Sequence, residues 1–536
     1  MRKKVLFFLF LLLTIFPVGH LVWQKWDYYL SPFDLELMKA SYERSQYVKE
    51  APEGWLPDEF LFAYAGWDYA SGGNPILINP ENPPLGKYII GASIKIFNNE
   101  KIPSLVFGFL SLFSFFLLSR LFFKKNWLAL LPVALFSWER LFQEQLLYLP
   151  LFELFALAFL NFAFYFFIRA EKDSRYFLAS SFFLGALWST KPWMLTIPLL
   201  ASWVAYFLLI KKKFLVLISW LISLPAAVLV LLLSYLKLFF EGWGIYKVLS
   251  VQKWIFWYHQ SKLIKFGSVW LFIYLKRWYV WWGDKPYLPI VQWNFFWPVF
   301  TSLALIFSAL IILRSFGFLK KVAKAFQFDP KVVVLCLWVV FYLGFLSFGN
   351  ITSRYLFYLL PYTYLLGVYF LKKIGELFGT KKFLNKTGPE LLEDELVHFI
   401  SALTIGLVLN TIYQDWRLVT VALLFGFFID IDHWFDYFAC YGAKINLKKF
   451  FALYLYVKLP KKIYVPLHGW EYVFLFWLIG RWIGIPGVEW AMSLSYLAHL
   501  LWDNFSFRHH PLAYSLIYRL LNNFSLEGFN SLIKSN

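Results

Sequence analysis

Long apolar runs, separated by short clusters of lysine and arginine, are the dominant pattern along the chain. The first run extends from Val5 to about Trp23, directly after Met1-Arg2-Lys3-Lys4, and about 20 apolar residues are enough for a helix to cross a bilayer. Because cytoplasmic loops of membrane proteins are rich in Lys and Arg, we expect the N-terminus and each later basic cluster in the cytoplasm. The apolar runs between these clusters predict roughly ten spans before residue 380. The later clusters are Lys124-Lys125, Arg169 to Arg175, Lys211 to Lys213, Arg314 to Lys331 and Lys372 to Lys386.

Two long segments are left on the outer side by this arrangement. The first runs from about Gln24 to Lys87, and the second from about Glu241 to Asn294. The second segment mixes tryptophans with lysines, which is typical of helices that lie in the membrane interface. These tryptophans are Trp254, Trp257, Trp278, Trp281 and Trp282.

The composition narrows the class of protein further. Of 536 residues, 60% are hydrophobic and only 15% are charged, with 51 Lys and Arg against 32 Asp and Glu. Soluble and disordered proteins carry more charge than this, and two cysteines are too few for a disulfide scaffold. The net charge of +19 lies in clusters between apolar runs, so we expect the bilayer as partner and no nucleic acid. The sequence therefore predicts an all-α, multi-pass integral protein of the cytoplasmic membrane.

A polar stretch near residues 380–395 suggests a boundary between two modules, because it is the only long one in the second half of the chain. We expect an N-terminal domain over 1–380, a cytoplasmic linker over 381–395 and a C-terminal domain over 396–536. Apolar runs in the last domain predict four more spans, which would form a small helical bundle. Those spans lie near 396–413, 417–433, 467–484 and 487–503.

Three motifs in the N-terminal domain occur in an order that is typical of one enzyme family. Asp58-Glu59 is followed by Asn82-Pro83-Pro84-Leu85-Gly86-Lys87 and then by Ser189-Thr190-Lys191-Pro192-Trp193. With these motifs the first 380 residues resemble the protein O-mannosyltransferases and their bacterial relatives, glycosyltransferase family 39. The family commonly has His at the position of Asn82, and Pro192 interrupts its Lys-Trp pair. The segment from Glu139-Arg140 to Glu153 lies where the family has a further acidic and basic site.

The resemblance implies a C-type glycosyltransferase bundle with a long first outer loop. The donor would be a polyprenyl-phosphate sugar, mannose or another hexose, and the acceptor a hydroxyl on a protein, lipid or glycan at the outer face. Asp58, with Glu59 beside it, would take the acceptor proton. Cations would hold the donor phosphate as charge develops on it. The expected substrate-binding cations are Lys87, Lys191 and Arg354.

Histidines and carboxylates recur within the apolar runs of the C-terminal domain. Ionisable residues inside a membrane are costly and by default suggest function. His499 and Asp503 are four residues apart and share one helix face. The expected topology brings the ends of all four spans to the cytoplasmic face, where imidazole and carboxylate groups suit Zn²⁺, Mn²⁺ or Fe²⁺. The predicted metal ligands are His398, Asp430, Asp432, His433, His468, His499 and Asp503.

The same pattern resembles the membrane-bound metal-dependent hydrolase family. That family has an early His, then Asp-x-Asp-His, a His in a short polar motif, and His-x-x-x-Asp. It usually has Pro before its first Asp, where this chain has Ile429. The resemblance implies metal-dependent hydrolysis at the cytoplasmic face, and Glu471 is a candidate base near His468.

Two other interpretations stay open from the sequence alone. Many helices with buried charges also fit a transporter or lipid flippase, although transporters usually show inverted repeats, which we do not find here. Alternatively, the chain is a transferase whose C-terminal half binds a metal without catalysing a reaction.

Overall fold

The computed structural model is almost entirely helical, which confirms the all-α prediction. It describes residues 2–52, 54–211, 214–260, 266–280, 287–315, 329–349, 351–379, 388–442, 444–446, 450, 462–507 and 512–525. Trp281, Trp282 and residues 381–387 of the expected linker lie outside these ranges. A helix that begins at Gly388 includes the rest of that linker.

In the described part of the N-terminal half there are twenty α-helices and one short hairpin. They are α1 (Arg2–Gln24), α2 (Trp26–Leu30), α3 (Leu35–Glu43), α4 (Asp58–Ala70), α5 (Leu85–Phe97), α6 (Ile102–Arg120), α7 (Asn126–Ser137), α8 (Arg140–Leu147), α9 (Glu153–Arg169), α10 (Tyr176–Trp188), α11 (Ile197–Ala205), α12 (Phe214–Ser223), α13 (Pro225–Ser234), α14 (Leu236–Phe240), α15 (Ile245–Gln260), α16 (Ser268–Leu275), β1 (Arg277–Tyr279), β2 (Tyr287–Pro289), α17 (Phe296–Ser315), α18 (Val332–Ser347), α19 (Ser353–Leu356) and α20 (Leu360–Gly379).

Among the described residues, the C-terminal half has six further α-helices. They are α21 (Gly388–Tyr413), α22 (Arg417–Gly426), α23 (His433–Tyr441), α24 (Glu471–Ile483), α25 (Val488–Phe507) and α26 (Leu516–Leu521). A 3-10 segment, Phe428–Asp432, connects α22 to α23. Helices α21, α22, α24 and α25 pack against one another, as expected for a small bundle.

Five described helices are long and apolar enough to span a membrane, and a bent pair adds a sixth candidate. This number supports a polytopic membrane protein, but it is smaller than the predicted total of about fourteen. The spans are Lys3–Gln24, Ile102–Arg120, Phe214–Ser234, Phe296–Arg314 and Asp394–Tyr413, with Arg417–Gly426 and Phe428–Tyr441 forming the pair that bends by 46°. The predicted side of the membrane for the N-terminus stays a prediction.

Proline marks the break between two of the shorter apolar helices. The apolar run after Arg175 is divided into α10 and a second helical stretch, Trp193–Leu208, with Pro192 between them. Proline lacks a backbone N–H group and disfavours helical geometry in the residue before it. Runs that hydropathy would count as one long helix therefore become shorter helices.

The second outer segment contains helices and also a hairpin that was not predicted. On α15, Val251 and Ile255 are buried, whereas Trp254 and Trp257 are exposed, so the helix is two-faced as expected for an interface. Strand β1 pairs with β2 in antiparallel register, and Trp278 donates its indole N–H to the Ile351 carbonyl at 2.7 Å. Aromatic residues are common both in strands and at membrane interfaces, so the sequence pattern did not distinguish a hairpin from helices that lie in the interface.

The chain folds as two compact units, Pro17–Ile374 and Met1–Phe16 together with Gly375–Asn536. The first unit has one large core of buried aromatic and aliphatic side chains. Within it, α4 and α5 approach closely where Gly66 faces Gly91. A Cβ atom at Gly91 would overlap the Gly66 carbonyl, so this contact requires glycine. This contact fixes the helix that begins at Asp58 against the helix that carries Lys87.

Candidate functional site

An ion pair joins the predicted base to a predicted cation in the N-terminal unit. Asp58 is the first residue of α4, and Arg354 lies in the short helix α19. The Nη1 atom of Arg354 lies 2.6 Å from Oδ2 of Asp58. The two side chains are 37% and 36% exposed, so a ligand arriving from solvent can reach both.

A second ion pair is more deeply buried. The Nζ atom of Lys191 lies 2.6 Å from Oε1 of Glu153, and their side chains are 15% and 3% exposed. Oε2 of Glu153 has no hydrogen-bond partner in the described part of the chain. Arg354 interacts electrostatically with Glu153 as well as with Asp58. The four residues therefore form a series of alternating charge in the order Asp58, Arg354, Glu153 and Lys191.

Local packing brings the sequence motifs of this unit together. The Leu85 N–H donates to the Ser189 carbonyl at 2.8 Å, which joins the Pro-Pro-Leu-Gly motif to the Ser-Thr-Lys motif. Phe62 of α4 stacks on Phe152 at a ring distance of 3.9 Å, and Phe152 precedes Glu153. The helix of Asp58 is thereby held beside the start of α9.

Glu59 differs from Asp58 in its surroundings. Burial raises the pKa of the Glu59 carboxyl, and the neighbouring negative charge of Asp58 raises it further. A carboxylate with a raised pKa binds a proton more readily near neutral pH. The pair thus consists of Asp58, whose carboxylate is bonded to Arg354, and Glu59, whose pKa is raised by burial.

Lys87 lies in a different environment from the one expected for a phosphate-binding cation. Its side chain is fully buried, and its ammonium group donates to the Tyr69 hydroxyl at 3.2 Å, to the Asn82 carbonyl at 2.8 Å and to the Asn79 carbonyl. Burial lowers the pKa of Lys87. These contacts hold the loop that precedes α5.

Four predicted metal ligands of the C-terminal unit converge on one point. The distance between the Nε2 atoms of His468 and His499 is 3.1 Å. From His468 Nε2, Oδ1 of Asp430 and Oδ2 of Asp503 both lie at 3.4 Å, and from His499 Nε2 they lie at 3.6 and 3.3 Å. Ligands at about 2.0–2.1 Å from an ion form a tetrahedron with edges of about 3.3–3.4 Å. Three of these five distances match an edge of such a tetrahedron, and the other two differ from it by 0.2–0.3 Å, so the four atoms approximate a tetrahedral N₂O₂ site.

Hydrogen bonds to the other ring nitrogens fix which atoms face this point. His499 Nδ1 lies 3.1 Å from the Gly426 carbonyl, which can only accept, so Nδ1 is the donor. His468 Nδ1 lies 3.0 Å from the Asp432 carboxylate. In the neutral rings both Nε2 atoms therefore direct lone pairs at each other, which is unfavourable without a cation between them. Gly426 is needed here, because a Cβ atom would lie 2.8 Å from Ala402 Cβ.

The remaining predicted ligands surround this tetrad. Asp432 contacts His468 through Nδ1, the ring nitrogen that does not face the tetrad, and so fixes the orientation of the ring. Carboxylates commonly have this role beside metal-binding histidines. Nε2 of His398 lies 3.0 Å from Oδ1 of Asp503, the oxygen that faces away from the two histidines. His433 Nε2 lies 3.4 Å from Asp430 Oδ1, and His433 can also group with Asp432 and His468.

The loop that carries His468 is held by two residues outside the predicted ligand set. Asp436 accepts from the backbone N–H groups of Tyr464 at 2.8 Å and Val465 at 3.2 Å. Arg519 is 3% exposed and donates to the carbonyls of Tyr464, Val465 and His468. An arginine in an apolar C-terminal helix was the signal that could have pointed to a buried partner.

Glu471, the predicted base of this module, contacts a different element. Its carboxylate accepts from the Ser515 hydroxyl at 2.6 Å and from the backbone N–H of Leu516 at 3.1 Å. These contacts satisfy the first N–H groups of α26, which is the role of a helix cap. The described contacts of Glu471 thus anchor α26.

The chain was also compared with known proteins. No family model and no curated protein matches it. Two crystal structures of ArnT from Cupriavidus metallidurans align with 84% of this chain at 14% identity. The apo structure is covered to 73% with a TM-score of 0.38, and the structure bound to undecaprenyl phosphate to 74% with a TM-score of 0.35. Similarity at this level does not define a shared activity, and both family resemblances drawn from the motifs stay predictions.

Proposed function

We propose that the chain is a membrane glycosyltransferase that moves a hexose from a polyprenyl-phosphate donor to an acceptor hydroxyl. The observation that carries this proposal is the Asp58–Arg354 ion pair, accessible to solvent and accompanied by the Lys191–Glu153 pair. Together the two pairs supply a carboxylate that can accept the acceptor proton and two cations that can bind a phosphate. They do so in a polytopic membrane protein, where a lipid-linked donor would be found. Mannose is the sugar that the motif resemblance implies, and the acceptor is a protein, lipid or glycan.

The donor phosphate would compete with Asp58 for Arg354. A phosphate accepts charge-assisted hydrogen bonds from a guanidinium, and Asp58 is exposed enough to move away. The released carboxylate then takes the proton as the acceptor oxygen attacks the anomeric carbon. The bond between that carbon and the phosphate oxygen breaks, and Lys191 with Arg354 stabilises the charge on the leaving phosphate. Lys87 would act indirectly, by holding the loop before α5.

The test is sugar transfer in membranes that contain the wild-type protein or Asp58→Asn. Polyprenyl-phosphate donors with radiolabelled mannose, glucose or an aminosugar would be supplied in turn. Transfer by the wild type that Asp58→Asn loses at equal expression supports the proposal. If the wild type transfers none of these sugars, the transporter interpretation gains instead.

We further propose that the C-terminal module is a metal-dependent membrane hydrolase. The donor set fits a divalent cation, because two imidazole nitrogens and two carboxylate oxygens meet at tetrahedral spacing. When bound, such a cation supplies a Lewis acid that makes water a better nucleophile. Asp430, His468, His499 and Asp503 would hold it. Asp430 Oδ2, buried and without a hydrogen-bond partner among the described residues, is the oxygen available to take a proton from water.

Metal analysis and hydrolysis test this second proposal separately from the first. Purified protein should contain about one equivalent of metal, which His499→Ala should lose. Metal without hydrolysis of any phosphoester would support the alternative of a non-catalytic metal-binding module.

A further inference from the structure

The segment that carries Asp430 also has a stripe of exposed apolar side chains. Phe428, Ile431, Phe435 and Phe438 are 54%, 63%, 55% and 42% exposed, and we call them the Phe428–Phe438 stripe. Their spacing of three and four residues places them along one side of the segment from Phe428–Asp432 into α23. Large apolar side chains that remain exposed in a row mark a surface for lipid or another apolar partner.

The opposite side of the same segment faces the metal-ligand cluster. Ile429, Asp432, Asp436 and Tyr437 are buried between the exposed positions. Asp432 contacts His468, and Asp436 holds the loop before it. One short helical segment therefore has the ligand cluster on one side and an apolar surface on the other.

The cluster is most open beside this stripe. The Asp430 side chain is 13% exposed, whereas those of His468, His499 and Asp503 are 1%, 0% and 6% exposed. Asp430 is followed directly by Ile431, one of the most exposed apolar residues of the unit. A substrate that approaches through Asp430 thus meets the apolar stripe at the entrance.

We infer that this site acts on the phosphate head group of a membrane lipid, whose long apolar chain lies along the Phe428–Phe438 stripe. The inference rests on the proposed hydrolase function and specifies its substrate class. A chain laid over these side chains removes apolar surface from water, which a small soluble phosphoester cannot do. The bend of 46° between α22 and the next helical segment belongs to a candidate membrane span, which suits a substrate held in the bilayer.

The reaction would be hydrolysis at phosphorus. The oxygen of water forms a bond to phosphorus, and the P–O bond to the lipid alcohol or lipid phosphate breaks. One proton of water ends on the leaving oxygen and the other on the released phosphate. No oxidant, reductant or further reactant is needed.

The first arm of the test compares substrates with the full-length protein in nanodiscs. Phosphate release would be measured from dioleoyl phosphatidic acid, undecaprenyl diphosphate and soluble p-nitrophenyl phosphate. We expect kcat/KM for at least one of the two lipids to exceed that for p-nitrophenyl phosphate by about tenfold or more, because chain contacts add binding energy. Equal or faster hydrolysis of p-nitrophenyl phosphate would overturn the inference. The two lipids distinguish a glycerolipid from a polyprenyl source.

A double variant of the stripe, Ile431→Ser with Phe435→Ser, separates chain binding from the chemistry. It should lower kcat/KM for the preferred lipid by about tenfold and leave p-nitrophenyl phosphate hydrolysis within about twofold. Phe474→Ser is the matched control, since Phe474 is 64% exposed on α24, which carries none of the four converging ligands. Equal losses for both classes of substrate in the stripe variant would contradict the inference.

A binding measurement does not depend on activity. Photoreactive analogues of phosphatidic acid and of undecaprenyl diphosphate would each be cross-linked to metal-free protein, and the modified peptides mapped. Cross-links within residues 428–438 support the inference, and their absence there overturns it. If no phosphoester of any kind is hydrolysed but these cross-links form, the hydrolase proposal fails while the lipid site stands.

Discussion

Arg354 and Asp58 form an ion pair at 2.6 Å although 296 positions separate them along the chain. The contact joins the start of α4 to the short helix α19 at a place that solvent can reach. Because Arg354 donates to Oδ2 of Asp58, this carboxylate oxygen is occupied by the guanidinium. In the proposed mechanism, phosphate binding at Arg354 and release of Asp58 would be one event.

Substitution of Arg354 should affect donor binding and turnover together. Arg354→Lys keeps the charge but loses the planar fork that matches phosphate, so we expect about a tenfold rise in the donor KM. Arg354→Gln should in addition lower kcat by about a hundredfold, because a cation that stabilises the leaving phosphate is gone. Steady-state kinetics with a polyprenyl-phosphate sugar would measure both values.

Arg175→Gln is the control for this series. Arg175 is a surface arginine whose side chain is 89% exposed and pairs with Asp173 at 2.8 Å. It should leave both kinetic constants within about twofold, as exposed ion pairs contribute little. Unchanged kinetics in Arg354→Gln would contradict the assignment of Arg354 to the phosphate.

The Lys191–Glu153 pair should behave as a buried unit. Lys191→Met leaves the Glu153 carboxylate buried without its cation, which typically costs about 3–5 kcal/mol of unfolding free energy. Glu153→Gln combined with Lys191→Met should recover most of that stability without recovering transfer. Denaturant unfolding in detergent would check it, with Lys237→Met, from the half-exposed Lys237–Glu241 pair, as control.

Failure of the double variant to recover stability would show that Lys191 is needed for packing rather than for charge. Recovery of sugar transfer along with stability would remove Lys191 from the phosphate-binding site.

Glu59 should make the protein less stable as the pH rises. Burial raises the pKa of Glu59 in the folded state above its unfolded value, so the folded protein retains a proton that the unfolded chain releases. Stability then falls as the pH rises from the usual Glu value to the raised pKa, and stays lower above it. Glu59→Gln should flatten this dependence and raise the melting temperature at neutral pH.

Thermal unfolding between pH 4 and pH 8, followed by tryptophan fluorescence, would measure the effect. Glu43→Gln changes an exposed carboxylate of the same outer segment and serves as control. A melting temperature that is equally pH-dependent in Glu59→Gln and the wild type would refute the account of Glu59.

Asp432 should determine metal affinity without being an inner ligand. Its carboxylate lies 3.0 Å from His468 Nδ1 and accepts from the Leu467 N–H at 2.7 Å. Loss of such a carboxylate typically weakens metal binding about 10–100-fold, so Asp432→Asn should do the same while His499→Ala abolishes binding. Chelator competition would measure the affinities, with Asp415→Asn, whose carboxylate pairs with the exposed Arg417, as control. Loss as complete in Asp432→Asn as in His499→Ala would make Asp432 a direct ligand.

Glu471 should contribute to stability and not to chemistry. Glu471→Ala removes the acceptor for Ser515 and Leu516, and a lost cap typically costs about 1 kcal/mol. Metal content and kcat for phosphoester hydrolysis should stay within about twofold. A large loss of kcat with full metal content would return Glu471 to the role of base.

Much of this architecture could be predicted from the sequence because hydropathy and loop charge act locally. The all-α class and the four helices of the C-terminal module follow from apolar runs between basic clusters. The grouping of Asp430, His468, His499 and Asp503 was also predictable, since ionisable residues in apolar helices seek one another.

The partners of individual side chains were not predictable, because they depend on long-range packing. The sequence around Glu153 does not indicate that its partner is Lys191. Likewise, Glu471 is a plausible base from the sequence, and only the position of α26 shows that its carboxylate binds Ser515. The exact number of spans stays a prediction, because several apolar helices, such as Tyr176–Trp188 and Trp193–Leu208, are shorter than the length that defines the five candidate spans.

The most direct test of the central claim, that one chain carries two separate sites, uses one preparation and two variants. Sugar transfer and metal-dependent phosphoester hydrolysis would be measured side by side for the wild type, Asp58→Asn and His499→Ala. The account predicts that Asp58→Asn loses only transfer, and that His499→Ala loses only bound metal and hydrolysis. A wild type without transfer, or one substitution that removes both activities from folded protein, would contradict it.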